Sequence, residues 1–511
     1  MSLRTIIAAG ITATMLSAGL AVPAVAQTAN SYDLYLGVGP DETSANMSWY
    51  MPSRQQQYVE VKDASGHVTR VAGTNTRLTT TRAEYSTFAN LTGLTPGESY
   101  QYRVGSDEVG WTIWFDLKTQ PAADSWNFLF YGDPQIGAGN LTSDTEGWAK
   151  ALNVSTGAHP DAAFLVTSGD QVNYSLDQDQ YAAFFSPSEL RQYRLAVQNG
   201  NHDDSPVAFA RHFNLPNAQG YNYYYEYNNA LIVGLDSNGI NYGAMVNYLR
   251  TAVATAGAGK DWIIVTFHHA PYAHSWHAFE SKPRDIAAEL GPVMSQLGVD
   301  VVLNGHEHLH SRSYLMAGTT PRTTTETNLT PRGNEVLYYT ANSSTGSKFY
   351  DFAASGTKRL PQLTYEESVA QSLVRPEVAY WNQDYTPDYT NVEVSPEKLT
   401  LTTYNVDDGS VVDTVTLNKQ RLAPLPDNPG THTTLPGDKE TTAPTATATE
   451  TATATATVIV TPKPGEEPEP EASTSSDLQV AGVVMPILAV LAALGTALWT
   501  QRDAIMALIT R

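Results

Sequence analysis

The chain has 511 residues, more than one ordinary domain needs, so two folded domains with additional segments are expected. Its 52 acidic against 30 basic residues give a formal net charge of −22, which disfavours nucleic-acid backbones and anionic lipid as partners. There is no cysteine, which excludes disulfides, thiolate metal sites and cysteine nucleophiles and leaves imidazole, carboxylate, amide and phenolate as the main ligand chemistry.

At the start of the chain, Arg4 precedes a largely apolar run over residues 6–22, and Ala24-Val25-Ala26 precedes Gln27. This reads as a secretory signal peptide over residues 1–26, cut after Ala26. Residues 27–121 read as an all-β module, with aromatic-rich alternating stretches separated by Gly, Pro and Asp turns. Within it, Leu91-Thr92-Gly93-Leu94-Thr95-Pro96-Gly97-Glu98-Ser99-Tyr100-Gln101-Tyr102 resembles the tyrosine-corner region of fibronectin type III sandwiches, where a buried tyrosine hydroxyl bonds back to upstream backbone.

Residues 122–420 alternate strand-like and helix-like segments, including a stretch over residues 278–296 interrupted by Pro283 and Pro292. Two β-rich runs flanking Asp407-Asp408-Gly409 read as a closing hairpin. Alternating tyrosines over residues 221–227 fit a half-buried strand, or an exposed aromatic platform. Residues 421–479 are rich in Pro, Thr, Ala and Glu and read as a disordered stalk. Residues 480–500 carry no charge, and about 21 residues at ~1.5 Å each match the ~30 Å of a hydrocarbon core. A transmembrane helix followed by a short cytoplasmic tail over residues 501–511 is therefore expected, giving an exported, cell-surface protein tethered by its C-terminal helix.

Five ligand-type blocks stand in order through the middle domain: Gly132-Asp133-Pro134-Gln135, Gly169-Asp170, Gly200-Asn201-His202-Asp203, His268-His269-Ala270-Pro271-Tyr272 and Gly305-His306-Glu307-His308. Several follow apolar β-rich runs, the arrangement by which an α/β sheet gathers distant residues at the carboxyl ends of its strands. A site for two ions needs a bridging carboxylate and mixed N and O donors on either side. Asp170 is the bridging candidate, Asp133 a ligand of a first ion, and Asn201, His268 and His306 ligands of a second. His308 shares a face with His306 if residues 305–308 are extended, and so reaches the first ion. His202, which Asp203 would orient or whose pKa it would raise, and His277 are the remaining imidazoles placed for contact with a substrate or its leaving group. His269, His274 and His310 fit supporting or surface positions equally well.

Together the blocks resemble the calcineurin-like metallophosphoesterases, and with the preceding β module their purple acid phosphatase-like branch. The resemblance covers most of residues 27–420. It implies an α/β (α+β) four-layer sandwich behind a fibronectin III-like β-sandwich, and two metal ions drawn from Fe, Zn or Mn. It also implies hydrolysis of phosphate monoesters by a metal-bound hydroxide, with His202 assisting the leaving group. Small-molecule phosphate esters are the expected partners, with no nucleic-acid binding beyond nucleotide substrates. A phosphodiesterase or nucleotidase on the same site, and a non-catalytic surface protein on a degenerate scaffold, are the alternatives. Two positions depart from the family's patterns. Gln135 stands where many members have a histidine, and Asn173 where purple acid phosphatases place an iron-binding tyrosine. Either a bulge brings Tyr174 in as the phenolate, or the first ion is held without one.

Overall fold

The computed structural model describes residues 32–77, 85–205 and 207–420. The expected signal peptide, stalk, membrane helix and tail lie outside the described residues. Among the described residues no helix is long and apolar enough to cross a membrane.

Alternation of apolar side chains sets the layers. In strand Trp126–Tyr131, Phe128 and Phe130 pack into one core while Leu129 and Tyr131 pack into another on the opposite face. Strands Trp262–His269 and Val301–Gly305 split in the same way, Ile264 and Leu303 facing the first core and Val265 and Val302 a third. The shared core lies between two sheets. The second core is covered by helix Leu141–Ala158, through Trp148, Ala151 and Leu152, and the third by helices Tyr242–Ala256 and Ser281–Leu297. The result is a four-layer helix–sheet–sheet–helix sandwich.

In one sheet the parallel strands Trp126–Tyr131, Leu165–Thr167 and Leu195–Val197 lie side by side. In the other, the parallel run is Ala230–Gly234, Trp262–His269, Val301–Gly305 and Glu335–Thr340. Strands Lys398–Asn405 and Val411–Asn418 form the expected closing hairpin and join the first sheet through Asp388–Val394. Tyr223, Tyr225 and Tyr227 of strand Tyr223–Tyr227 are buried between the sheets, which settles the tyrosine run as core rather than exposed platform. The helix expected to be interrupted is a 3-10 turn, Trp276–Phe279, followed by one continuous helix, Ser281–Leu297. Pro283 falls in its first turn, where a missing N–H costs nothing, and the helix runs through Pro292 to Gly298 in the left-handed region.

The N-terminal module is a β-sandwich around Trp49, Val59, Tyr102, Val104 and Leu117. At its corner Thr95 N–H donates to the Tyr100 hydroxyl at 2.9 Å, the expected link to upstream backbone, but the tyrosine is half-buried and the bond exposed rather than buried. One of its sheets continues the first sheet of the larger domain, strand Tyr32–Val38 pairing in parallel with Leu195–Val197 through Gly37 and Leu195. Polar bonds reinforce that seam: Tyr35 OH donates to Leu195 O at 2.8 Å, and buried Arg194 donates to Glu42 O at 2.8 Å and Ser44 O at 3.0 Å. The module and the larger domain thus share one continuous sheet.

Candidate active site

All five blocks sit at carboxyl ends of parallel strands or in the loops just beyond them, and the two sheets bring them together. The closeness demands glycine. A Cβ at Gly305 would overlap Asp133 Oδ1 and Ser168 Oγ, and one at Gly200 would overlap the Asp170 amide and Oδ1. Four site residues adopt positive φ without being glycine: Gln135 (36°), Asp170 (48°), His306 (71°) and His308 (45°). Such backbone costs on the order of 1–3 kcal/mol per residue and persists where the surroundings over-determine it.

One ligand atom from each of Asp170, His268 and His306 lies within 4.8 Å of the others. His268 Nε2 is 3.3 Å from Asp170 Oδ2, 3.0 Å from Asn201 Oδ1 and 3.2 Å from His306 Nδ1. Its Nδ1 faces the Ser168 carbonyl at 3.0 Å, which orients the ring. Beside this group, Asp133 receives Ser168 Oγ and the His306 amide at 3.0 Å, and its Oδ2 lies 3.2 Å from His308 Nε2. His308 Nδ1 is fixed on the Lys348 carbonyl at 2.8 Å. Gln135, fully buried, turns Nε2 to Asn173 Oδ1 at 3.1 Å and leaves Oε1 without a partner.

Burial alone would raise the Asp133 carboxyl, but His268, His308 and the His306 amide outweigh it and hold it well below the usual range. Burial likewise opposes charge on His268, yet the Asp170 and Asp133 carboxylates raise it to about 9. His306 is pushed far down by burial and then by the surrounding imidazoles, so it is neutral and suited to ligation.

His202 lies beside the bridging candidate: its amide donates to Asp170 Oδ1 at 2.8 Å and its ring Nδ1 faces the Asn173 carbonyl at the same distance. Asp203 does not orient it, and that expectation is corrected. Its buried carboxylate turns inward and accepts the amides of Gln171 and Gly200 at 3.1 Å, tying the Asp170 loop to the Asn201 loop. Burial and the nearby Asp170 charge raise its pKa well above the ordinary value.

The premise of an extended 305–308 segment also fails. The strand ends at Gly305, and the chain bends through two left-handed residues that aim His306 at His268 and His308 at Asp133. Tyr174 is 65 % exposed and stands outside the buried cluster. No bulge turns it inward, because the Ile136–Val172 bridge and Asn173 N–H to Ile136 O (2.9 Å) hold the loop in register, which sets Asn173 against Gln135.

His277 comes beside the cluster, its ring 4.3 Å from that of His306, and is pushed down to about 3 by burial, then by Lys348 and neighbouring imidazoles. His269 is buried against Ser237 Oγ at 2.8 Å. His274 and His310 serve the scaffold, the first accepting the Arg375 amide at 2.8 Å and the second lying 3.2 Å from Asp413.

Sequence reasoning missed the loop after strand Glu335–Thr340. Ser344 Oγ donates to Gly132 O at 2.7 Å, and Thr345 Oγ1 and Ser347 Oγ to Pro134 O at 2.7 and 3.2 Å, fastening this loop to the Asp133 loop. It delivers Tyr350, whose ring lies 4.9 Å from that of His308 and whose hydroxyl is 3.4 Å from His277 Nε2. The signal was there: a Ser/Thr/Gly run directly after an apolar strand, as at the other ligand loops.

Comparison with known proteins agrees with this geometry. Residues 32–119 match the family model described as purple acid phosphatase, N-terminal domain, and residues 127–310 that described as calcineurin-like phosphoesterase. Purple acid phosphatase 18 from Arabidopsis thaliana is 26% identical over 238 residues, covering 42% of this chain and 50% of that protein. The chain thus spans about half the length of the curated relative it matches. Among solved structures, the purple acid phosphatase PPD1 from yellow lupin (Lupinus luteus) seeds superposes with a TM-score of 0.61 at 13% identity, covering 76% of this chain and 74% of that one. PhoD superposes with a TM-score of 0.51 at 12% identity, covering 76% and 90%. These structural likenesses establish the fold. The matched segments, residues 32–119 and 127–310, coincide with the β module and with the part of the larger domain that carries the five blocks.

Proposed function

We propose that this protein is a two-metal phosphoric ester hydrolase acting chiefly on phosphate monoesters, exported and tethered to the cell surface through its C-terminal segment. The observation that carries the catalytic part is the convergence of Asp170, His268 and His306, from three separate strand ends, within 4.8 Å. The donors suit borderline ions such as Fe, Zn or Mn: carboxylates, imidazoles and an amide oxygen, in a chain without cysteine. The unpartnered, buried Gln135 Oε1 is a further oxygen donor beside them. Export and tethering rest on the apolar N-terminal run and on the uncharged segment over residues 480–500.

In this reading Asp170 would be shared between two ions, Asp133 and His308 would hold one of them, and Asn201, His268 and His306 the other. Such ions, when bound, acidify water and neutralise the phosphoryl oxygens. The chain's own groups do the rest. The Ser168 and Lys348 carbonyls fix the rings of His268 and His308, and Asp203 locks two ligand loops together. With His202 Nδ1 engaged by the Asn173 carbonyl, Nε2 is the nitrogen left to protonate a leaving oxygen. Comparing p-nitrophenyl phosphate with bis-p-nitrophenyl phosphate tests the reading. Turnover of the monoester should dominate; faster turnover of the diester would make this a phosphodiesterase.

A further inference from the structure

Beside the ligand cluster runs a row of aromatic and cationic side chains. Lys348 Nζ lies 4.8 Å from the Tyr350 ring centre, and the Arg359 guanidinium 5.2 Å from that of Trp276. Trp276 packs against His277 at a tilt of 31° with ring centres 3.6 Å apart, and lies 6.1 Å from Tyr350. His277 and Tyr350 in turn contact the His306 and His308 rings. Two independent elements build the row: Lys348 comes from the pinned Ser/Thr loop, and Arg359 from the hairpin of Phe352–Ser355 and Lys358–Leu360. Glu280, the carboxylate beside it, is engaged by His277 Nδ1 at 3.0 Å.

Lys348 and Arg359 have no carboxylate partner within ion-pair distance among the described residues. In a chain of net charge −22, two uncompensated cations along the row of rings beside the ligand cluster run against composition. Aromatic faces hold both heads without neutralising them, so their charge stays available to a ligand. The transferred phosphoryl is already served by the metal-ligand cluster, so the extra positive charge is placed for the leaving group.

We propose that Lys348 and Arg359 form an anion subsite for the leaving group, and that this site takes esters or anhydrides whose leaving group carries a second phosphate. The proposal rests on the phosphoesterase reading and narrows it. In the reaction, water oxygen bonds to phosphorus and the bond from phosphorus to the leaving oxygen breaks. The leaving group keeps that electron pair and takes up a proton through His202 Nε2, while the attacking water gives one up to solvent. Its second phosphate meets the ammonium and guanidinium in charge-assisted hydrogen bonds, Arg359 offering the fork that matches phosphate oxygens.

The test compares inorganic triphosphate, fructose 1,6-bisphosphate and p-nitrophenyl phosphate on the full, metal-replete chain. For whichever polyphosphorylated substrate is preferred, kcat/KM relative to p-nitrophenyl phosphate should fall about tenfold in the Lys348→Gln/Arg359→Gln double variant. An unchanged ratio overturns the subsite. The identity of the preferred substrate separates an anhydride from an ester source. Inactivity toward every ester would instead defeat the phosphoesterase reading, so triphosphate binding is measured separately by calorimetry. Binding about tenfold weaker in the double variant supports the subsite even in an inert protein, and equal binding overturns it.

Discussion

The two halves of the site are built differently. Asp170, Asn201, His268 and His306 hold one another directly, His268 Nε2 lying within 3.3 Å of an atom of each of the other three. Asp133 and His308 are held mainly by their surroundings, through Ser168, the His306 amide and the Lys348 carbonyl, and beside them Gln135 Oε1 has no partner. The first half is held by contacts among its own ligands; the second has an unpartnered oxygen, Gln135 Oε1, beside it. Affinity and metal identity are therefore expected to vary more in the second half, while catalysis depends on the first.

The largest expected effect breaks the first half. Asp170→Ala or Asn201→Ala should lower kcat/KM on the order of 10³-fold or more while the circular dichroism spectrum stays native. Near-normal turnover in either variant would remove the basis for the comparison. A smaller effect sharpens the second half. Asp133→Ala should lose one ion per chain and keep the other, read by metal analysis of the purified variant; loss of both would mean that the halves are not separable.

The smallest concerns the two flanking imidazoles. With its pKa near 3, His277 is neutral in the folded protein across ordinary working pH, whereas an unfolded histidine takes up a proton below its usual range near 6.5. A depressed folded pKa gives stability that is complete above about 6.5 and is lost as pH falls toward about 3. His277→Asn should flatten that acid-side decline in melting temperature and leave the shape of the pH–rate profile between about pH 5 and 8 unchanged, whereas His202→Asn should alter that shape. Identical pH–rate shapes in the two variants would show that His202 is not the acid.

Much of this site was legible because strand ends announce themselves. An apolar run such as Phe128-Leu129-Phe130-Tyr131, then glycine and a carboxylate, marks both the strand and the close packing that forbids a Cβ. The direction of a side chain inside a loop was not legible. His306 and His308 reach the site through left-handed backbone rather than an extended segment, and Asp203 turns toward amides rather than its neighbouring imidazole. Both outcomes are set by tertiary hydrogen bonds that no local pattern records. Tyr174 was considered by spacing alone, yet a backbone bridge two residues earlier fixes the register and turns it to solvent. The sandwich module read correctly as β, but its continuation of the larger sheet depends on one pairing, Gly37 with Leu195, between residues 158 positions apart.

Metal content measured together with the visible absorption spectrum of the native protein tests the central claim most directly. Two transition-metal ions per chain, with no tyrosinate-to-iron band arising from Tyr174, is the predicted result. Fewer than one ion per chain in a protein inert toward every phosphate ester would contradict it.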